Sequence, residues 1–260
     1  MIQIDPDWWQ SLFDEVYLLT DAPFVCNPEL TTQETTVVEK LLNLCLEDRI
    51  LDLCGGQGRH ALELARRCYQ NITVLDYSNF LLQRGKQKAA EAGLGVMFSQ
   101  GDARALDFPS TNFDAVLLMA NSFGYFVNAA DDLRILTEVW RVLEDGGRFL
   151  LDLVDREVAL SNFCSESWHE ATNDIVVCWK RELVEDMILV REMVLSKSKG
   201  LLRDRTYTER LYSQESLHNI LLEVGFTDVK AHNDLFVHNP DNDTDYGLAT
   251  HRLLITATKG

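Results

Sequence analysis

Apolar residues along the chain fall into three successive patterns. Up to about residue 46 they recur at helical spacing. Trp8, Trp9, Leu12, Phe13, Val16 and Tyr17 form one face, predicting a helix that Pro6 opens and that runs through Thr20. Val37, Val38, Leu41, Leu42 and Cys45 predict a second helix from about Glu29 to Cys45. Then short apolar runs alternate with amphipathic stretches. RILDL (49–53) leads into a helix over 57–68, and ITVLD (72–76) into one over 78–92. GVMFS (95–99), FDAVLLM (113–119), a helix over 129–143 and RFLLDLV (148–154) follow, with Gly146-Gly147 turning the chain between the last two. Short apolar strands separated by helices argue for a parallel sheet covered on both faces.

The third pattern begins near Leu160. DIVVCWKREL, MILVREMVL and RTYTERLYS are rich in β-branched and aromatic residues and hold no long helix, predicting an antiparallel meander up to Tyr212. A helix over 213–224 and strands GFTDVKAH (225–232) and RLLITATK (252–259) complete the chain. The loop between those strands is too short for a crossover helix, so they should pair antiparallel. No repeat, low-complexity tract or Pro/Gly/Ser-rich linker divides the sequence, which predicts one domain over 1–260.

Composition narrows the setting. The chain has 260 residues, 46% hydrophobic and 25% charged, as ordinary globular proteins have. Its apolar runs are short of membrane-spanning length, and Asp5 and Asp7 do not suit a signal peptide, so a cytoplasmic location is expected. Six cysteines without a C-x-x-C pair lie mostly in apolar segments and read as small core residues. The formal charge of −17 disfavours nucleic acid and anionic membranes as partners, since the densest basic stretch is only RDR at 203–205 with Lys197 and Lys199 nearby. A cationic or neutral small ligand suits such a surface better. Nothing in the sequence indicates an oligomeric state.

The candidate chemistry starts at ILDLCGGQGRH (Ile50–His60), where Gly56–Ala61 fits the G-x-G-x-x-G/A fingerprint. A strand delivering glycines to a helix N-terminus brings N–H donors and a positive dipole end to a ligand. That ligand is NAD(P) or S-adenosylmethionine, and Asp76, ending the next strand, can accept ribose hydroxyls from either. Three features favour S-adenosylmethionine. Asp52 can meet its ammonium, directly or through water, where it would repel a pyrophosphate; equally, it can brace the loop. Asp102 follows the third strand and can accept the adenine amino group, and the closing antiparallel pair is foreign to a dinucleotide domain.

LDLCGGQGRHALELARR, TVLDYSNFLLQRGKQKA, SQGDARAL, FDAVLLMANSFGYF and LTEVWRVLEDGGRFLLDL together resemble class I S-adenosylmethionine-dependent methyltransferases. More narrowly they resemble the small-molecule branch with a G-x-G-R-H loop and an S-F-G-Y-F segment, over roughly Trp8 to Lys259. The resemblance implies an α/β, Rossmann-like seven-stranded, mostly parallel sheet with an antiparallel terminal strand, helices on both faces and an antiparallel β insertion. It implies a helical cover over 1–46, a cofactor-binding core over 47–159, a lid over 160–212 and a closing unit over 213–260. It also implies that Gly55, Gly56 and Gly58 line the cofactor, with Arg59 or His60 near its carboxylate. Asp76 falls on the ribose, Tyr77 beside adenine, Asp102 with Ala103 at the adenine edge, and Met119 and Ala120 at the methionine portion. Tyr17 matches a tyrosine whose helix folds over the site. Gly55 departs from the relatives, which commonly carry a second cysteine there.

Asn121, Phe123 and Tyr125 of NSFGYF follow the fourth strand, beside where the transferable methyl should lie, which favours a substrate-facing role over a merely packed loop. The segment lacks the N-P-P-Y or D-P-P-Y of amino-directed nucleic-acid methyltransferases. Tyr207, Arg210 and Tyr212 are further candidates to orient substrate, Arg210 by steering a carboxylate or other acceptor oxygen. His169 is the candidate general base, because the insertion should overlie the cleft; it is also readable as a plain loop histidine. The expected reaction is methyl transfer to the N, O or C of a small metabolite, natural-product intermediate or short peptide, leaving S-adenosylhomocysteine. A non-catalytic S-adenosylmethionine-binding regulator and an NAD(P)-dependent oxidoreductase are the competing readings. No metal is expected. DNDTDYG (241–247) has its glycine one place late for a calcium loop, and His232 and His238 share no ligand spacing.

Overall fold

The computed structural model describes residues 1–21, 25–233 and 252–260. Seven strands make the main sheet: β1 (Arg49–Leu53), β2 (Asn71–Asp76), β3 (Val96–Gln100), β4 (Phe113–Leu118), β5 (Leu143–Val154), β10 (Phe226–His232) and β11 (Arg252–Lys259). Their order is β10-β11-β5-β4-β1-β2-β3. β1 runs parallel to β2 and β4, while β11 pairs antiparallel with both β5 and β10. The chain's last strand therefore lies inside the sheet rather than at its edge. This is the Rossmann-like arrangement expected, and it puts the C-terminal ends of β1, β2 and β4 side by side.

Helices α2 (Pro28–Leu42), α3 (Arg59–Arg66), α4 (Asn79–Ala92), α5 (Ala129–Val142) and α7 (Gln214–Val224) cover the sheet, beside the shorter α1 (Glu15–Thr20) and α6 (Arg156–Ser161). Burial on both faces explains the continuous apolar strands. Leu51 and Leu53 of β1 join Val116, Leu118 and Phe149 in one core, whereas Ile50 joins Val38, Ala61 and Leu64 in the other. Side chains alternate along a strand, so Asp52 faces the Ile50 side, toward α2 and α3.

The insertion is a separate antiparallel sheet, in the order β6 (Glu166–Glu170), β7 (Ile175–Val184), β8 (Met187–Ser196) and β9 (Gly200–Arg210). The expected helix through Thr20 is broken into a single 3-10 turn at Trp8–Gln10 and α1. Asp14 is the cause. It sits extended and caps α1, accepting from the Val16 and Tyr17 amides at 2.8 and 3.3 Å. The Gly146-Gly147 pair lies within β5, which begins at Leu143, so the turn is a kink in a strand. The cysteines are not core residues: Cys26, Cys45 and Cys68 are exposed and the other three half-buried, because several fall at element ends where apolar runs stop.

Gly85 in α4 marks a tight contact. A Cβ there would lie 2.4 Å from Phe98 Cε1 and 2.7 Å from the Gln57 carbonyl of the glycine loop. A helix interior normally gains ~1 kcal/mol from Gly→Ala, but overpacking against backbone costs about 1–3 kcal/mol. Gly85→Ala is expected to destabilise the protein by about 1–2 kcal/mol, measurable by urea unfolding. A stabilised variant would contradict this packing.

Candidate active site

The loop after β1 turns on residues with positive φ: Cys54 (54°), Gly56 (58°) and Gly58 (71°). Gly55 is needed for another reason. A Cβ at that position would sit 2.7–2.9 Å from the Asp52 carboxyl atoms, so the bare backbone gives Asp52 its room. The loop is held by the next strand: the Gly56 amide donates to Asp76 Oδ2 and the Ser78 amide to Asp76 Oδ1, both at 2.8 Å.

These elements line a cavity of about 1060 Å³, its open mouth included. Asp52 stands in its wall fully buried, and neither carboxylate oxygen has a hydrogen-bond partner of good geometry, the Ala61 backbone N–H being the nearest donor. Burial raises its pKa, with His60, Arg59 and that Ala61 N–H opposing. Asp76 is pushed up to about 6, again by burial, against the Ser78 and Gly56 amides. Two carboxylates held this way in one cavity favour a cationic ligand. Gly55, Gly56, Tyr77, Ala103 and Met119 also line it, whereas Gly58 lies behind the wall, against Phe98 and Val74.

Arg59 and His60 share the buried Glu34 of α2; Arg59 Nη1 and His60 Nε2 both contact Glu34 Oε2, the latter at 2.9 Å. Asp102 is in the wall, but its oxygens are engaged by Arg104 Nε at 3.0 Å and Nη2 at 2.7 Å. Burial pushes Asp102 upward, and the Arg104 guanidinium outweighs it, so the carboxyl titrates below its ordinary value. The expected adenine contact thus competes with an ion pair two residues away. Arg104 in turn packs over the Trp9 and Phe126 rings at 4.8 and 4.3 Å, and Trp9 meets Tyr77 at 4.5 Å.

A second cavity of about 1620 Å³, with its open mouth, adjoins the first; Phe13, Tyr17, Val25, Arg59, Ala120 and Tyr125 line both. Ala120 and Asn121 follow β4 with φ of 57° and 58°, strained for non-glycine residues. They are held by β5: Asp152 Oδ2 accepts from the Ala120 amide at 2.8 Å and the Asn121 side chain accepts from the Val154 amide at 3.2 Å. Asn121, Tyr207 and His169 line this cavity. His169 stacks on Trp179 at 5.0 Å, its buried Nδ1 has no partner, and burial lowers its pKa. Burial raises the Tyr17, Tyr125 and Tyr207 pKa values, which keeps them hydroxyl donors.

Arg210 and Tyr212 do not line either cavity. Arg210 Nη1 pairs with Asp186 at 2.9 Å, Nε with Asp132 at 3.3 Å, and Nη2 donates to the Phe126 and Val127 carbonyls. Tyr212 donates to Asp132 at 2.7 Å and packs at a tilt against Phe123, which does line the first cavity. Arg210, expected to steer substrate, has its guanidinium engaged by Asp186, Asp132 and the carbonyls of the 122–127 loop instead of lining either cavity. Sequence reasoning missed Asp21, Glu34 and Arg203. Asp21 had a signal, one helical turn beyond Tyr17; Glu34 and Arg203 had none, since their partners are remote in sequence.

The N-terminal segment is clasped on two sides. Arg203 Nη2 donates to the Leu12 carbonyl at 2.8 Å and contacts Asp14 Oδ1, and Ser78 Oγ donates to the Phe13 carbonyl at 2.6 Å. His232 Nε2 contacts Thr256 Oγ1, a contact between paired strands. Residues 241–247 and His238 lie outside the described residues. Among the described residues no helix is long and apolar enough to cross a membrane, and no three His, Cys, Asp or Glu are grouped to hold a metal.

The sheet order, glycine loop and acidic cleft define a Rossmann-like nucleoside-cofactor architecture, and residues 50–147 match the family model described as "Methyltransferase domain". A demethylmenaquinone methyltransferase of Deinococcus radiodurans is 41% identical over 104 residues, 40% of this chain and 42% of that one. The match thus spans about two fifths of that relative's length. YqeM of Bacillus subtilis is 26% identical over 253 residues, 96% of this chain and 95% of its own. In fold, the chain resembles an S-adenosylmethionine-dependent methyltransferase from Clostridium acetobutylicum (TM-score 0.73, 18% identity, 94% and 96% of the two chains). It also resembles the CcbJ methyltransferase of Streptomyces caelestis (TM-score 0.75, 17% identity, 96% and 99%).

Proposed function

We propose that this protein is an S-adenosylmethionine-dependent methyltransferase with a small-molecule acceptor. The carrying observation is Asp52, a buried carboxylate without a well-formed hydrogen bond in the wall of the first cavity. The residues fit that cofactor. Its ammonium would satisfy Asp52, its ribose hydroxyls would suit Asp76, and its sulfonium would add favourable positive charge. A pyrophosphate would meet two carboxylates instead, with Arg59 already engaged by Glu34. The second cavity, walled by the insertion, supports catalysis over mere cofactor sensing.

The bound cofactor supplies an electrophilic methyl group with a neutral thioether as leaving group. The chain's own contribution is chiefly alignment, which can lower a barrier by up to ~7–11 kcal/mol. Tyr17, Ala120 and Tyr125, walls of both cavities, would align acceptor and methyl. The small antiparallel sheet forms much of the wall on the acceptor side. His169 and Asp21 are the proton acceptors proposed on that side.

Calorimetric titration with S-adenosylmethionine, S-adenosylhomocysteine and NAD+ tests the reading. Binding of the first two alone is expected; binding of NAD+ alone would sink it.

A pH dependence follows from Asp76. Its folded pKa, about 6, lies above the unfolded value, so the folded chain binds the extra proton and this stability is lost as pH rises through about 6. Ribose hydroxyls donate best to the ionised carboxylate, so bound ligand offsets that loss. The rise in Tm on adding S-adenosylmethionine is therefore expected to be larger at pH 7.5 than at pH 5. Equal shifts at both pH values would contradict the role given to Asp76.

A further inference from the structure

The second cavity carries a charge pattern that selects among acceptors. Asp21, Glu34, Asp152, Glu170, Glu192 and Glu209 line it, against Arg59, Arg181, Arg203 and Arg252. Many of these are engaged in pairs: Arg59 with Glu34, Arg203 with Glu192, Arg252 with Asp152, and Glu170 with Lys197. Asp21 is different. Its Oδ2 accepts from Thr20 Oγ1 at 2.6 Å, and among the described residues no cation forms an ion pair with it. Burial pushes it up to about 7, Glu192 and Glu209 adding to the rise while Thr20 and Arg203 oppose it.

A cluster of rings lines the same cavity. Trp8 meets Tyr125 at 5.1 Å and Tyr207 at 5.6 Å, and Phe13 meets Tyr17 at 5.2 Å. Asp21 is close enough to Tyr17, Tyr125 and Tyr207 for its charge to raise all three. Ring faces attract a cation, most strongly where water is excluded, and a carboxylate beside them completes its recognition. An uncharged apolar acceptor would leave Asp21 desolvated without compensation. An anionic acceptor would be repelled.

We propose, on the methyltransferase reading above, that the acceptor is a small amine which enters as its ammonium, is held by this ring cluster, and gives its proton to the Asp21 carboxylate. The freed nitrogen lone pair then forms the N–C bond as the methyl's C–S bond breaks. The sulfonium charge passes to the methylated ammonium, and the sulfur leaves as a neutral thioether. Asp21 serves better than His169 here, because a neutral imidazole offers no charge to draw an ammonium.

The test is calorimetric titration of the full chain, saturated with S-adenosylhomocysteine, against small amines each paired with its hydroxyl isostere, starting with benzylamine and benzyl alcohol. At least one amine is expected to bind tenfold or more tightly than its isostere. The gap should collapse in Asp21→Asn and persist in Asp21→Glu, with S-adenosylhomocysteine affinity unchanged in both. If Asp21→Asn does not fold, Tyr207→Leu reads the ring half of the site, and the same collapse is expected. No amine preferred over its isostere, or a preference surviving in Asp21→Asn, would overturn the amine assignment while leaving cofactor binding intact. Failure to bind S-adenosylhomocysteine would overturn the methyltransferase reading itself.

Discussion

Asp52→Asn is expected to weaken S-adenosylmethionine binding about 30- to 100-fold while making the ligand-free protein more stable. Asparagine keeps the shape and removes the charge. A hydrogen bond to a charged group is worth about 1.5–3 kcal/mol, and each ~1.4 kcal/mol is tenfold in affinity. In the ligand-free chain the same carboxylate is fully buried without a well-formed hydrogen bond, so neutralising it relieves a desolvation penalty of about 1–3 kcal/mol. Because burial raises the Asp52 pKa, that penalty applies to the ionised form. The stability gain should therefore shrink as the pH falls and the carboxyl protonates. Thermal melts with and without ligand at pH 5 and 7.5 read both effects. An unchanged affinity would show that Asp52 only braces the loop.

Arg210→Ala is expected to lower stability by about 3–5 kcal/mol at pH 7.5, the range for breaking a buried ion pair by removing one partner. Asp132 and Arg210 are both almost fully buried, and Asp132 Oδ1 already has no partner. The Asp186 contact is half exposed and adds little. Burial raises the Asp132 pKa to about 6, with Tyr212 and Arg210 opposing the rise. Loss of the guanidinium raises it further, so the variant's deficit should grow as pH rises through and above about 6. The freed Phe126 and Val127 carbonyls release the loop beside the first cavity, and cofactor affinity should fall as well. Arg210→Lys is expected to recover only part of the stability, since one ammonium cannot span both carbonyls and both carboxylates. A loss under ~1 kcal/mol in Arg210→Ala would contradict this account of the network.

The sheet was legible because burial on both faces forces continuous apolar strands, and RILDL and RLLITATK coincide with β1 and β11 residue for residue. The break at Asp14 was less legible. The apolar spacing from Trp8 to Tyr17 runs straight through it, and nothing in that spacing shows that Asp14 leaves the helix to cap the Val16 and Tyr17 amides. The same limit governs the site. Asp52, Asp76 and the glycine loop are local to two strand ends and stand out in the sequence. Arg210 resembled a ligand-steering residue because its partners Asp132 and Asp186 come from distant elements. Asp21 carried a local signal, one turn beyond Tyr17, but its acidic neighbours Glu192 and Glu209 come from distant strands.

The clasped N-terminal segment has a thermodynamic consequence. Phe13 and Tyr17 belong to both cavities, and the segment is tied on one side to Ser78 and on the other to Arg203. Any ligand that steadies this shared wall lowers the ordering entropy left for the other to lose. Whatever factor the first ligand adds to the second's affinity, the second must return to the first. On the methyltransferase reading, donor and acceptor would thus act as mutual effectors through this one shared wall.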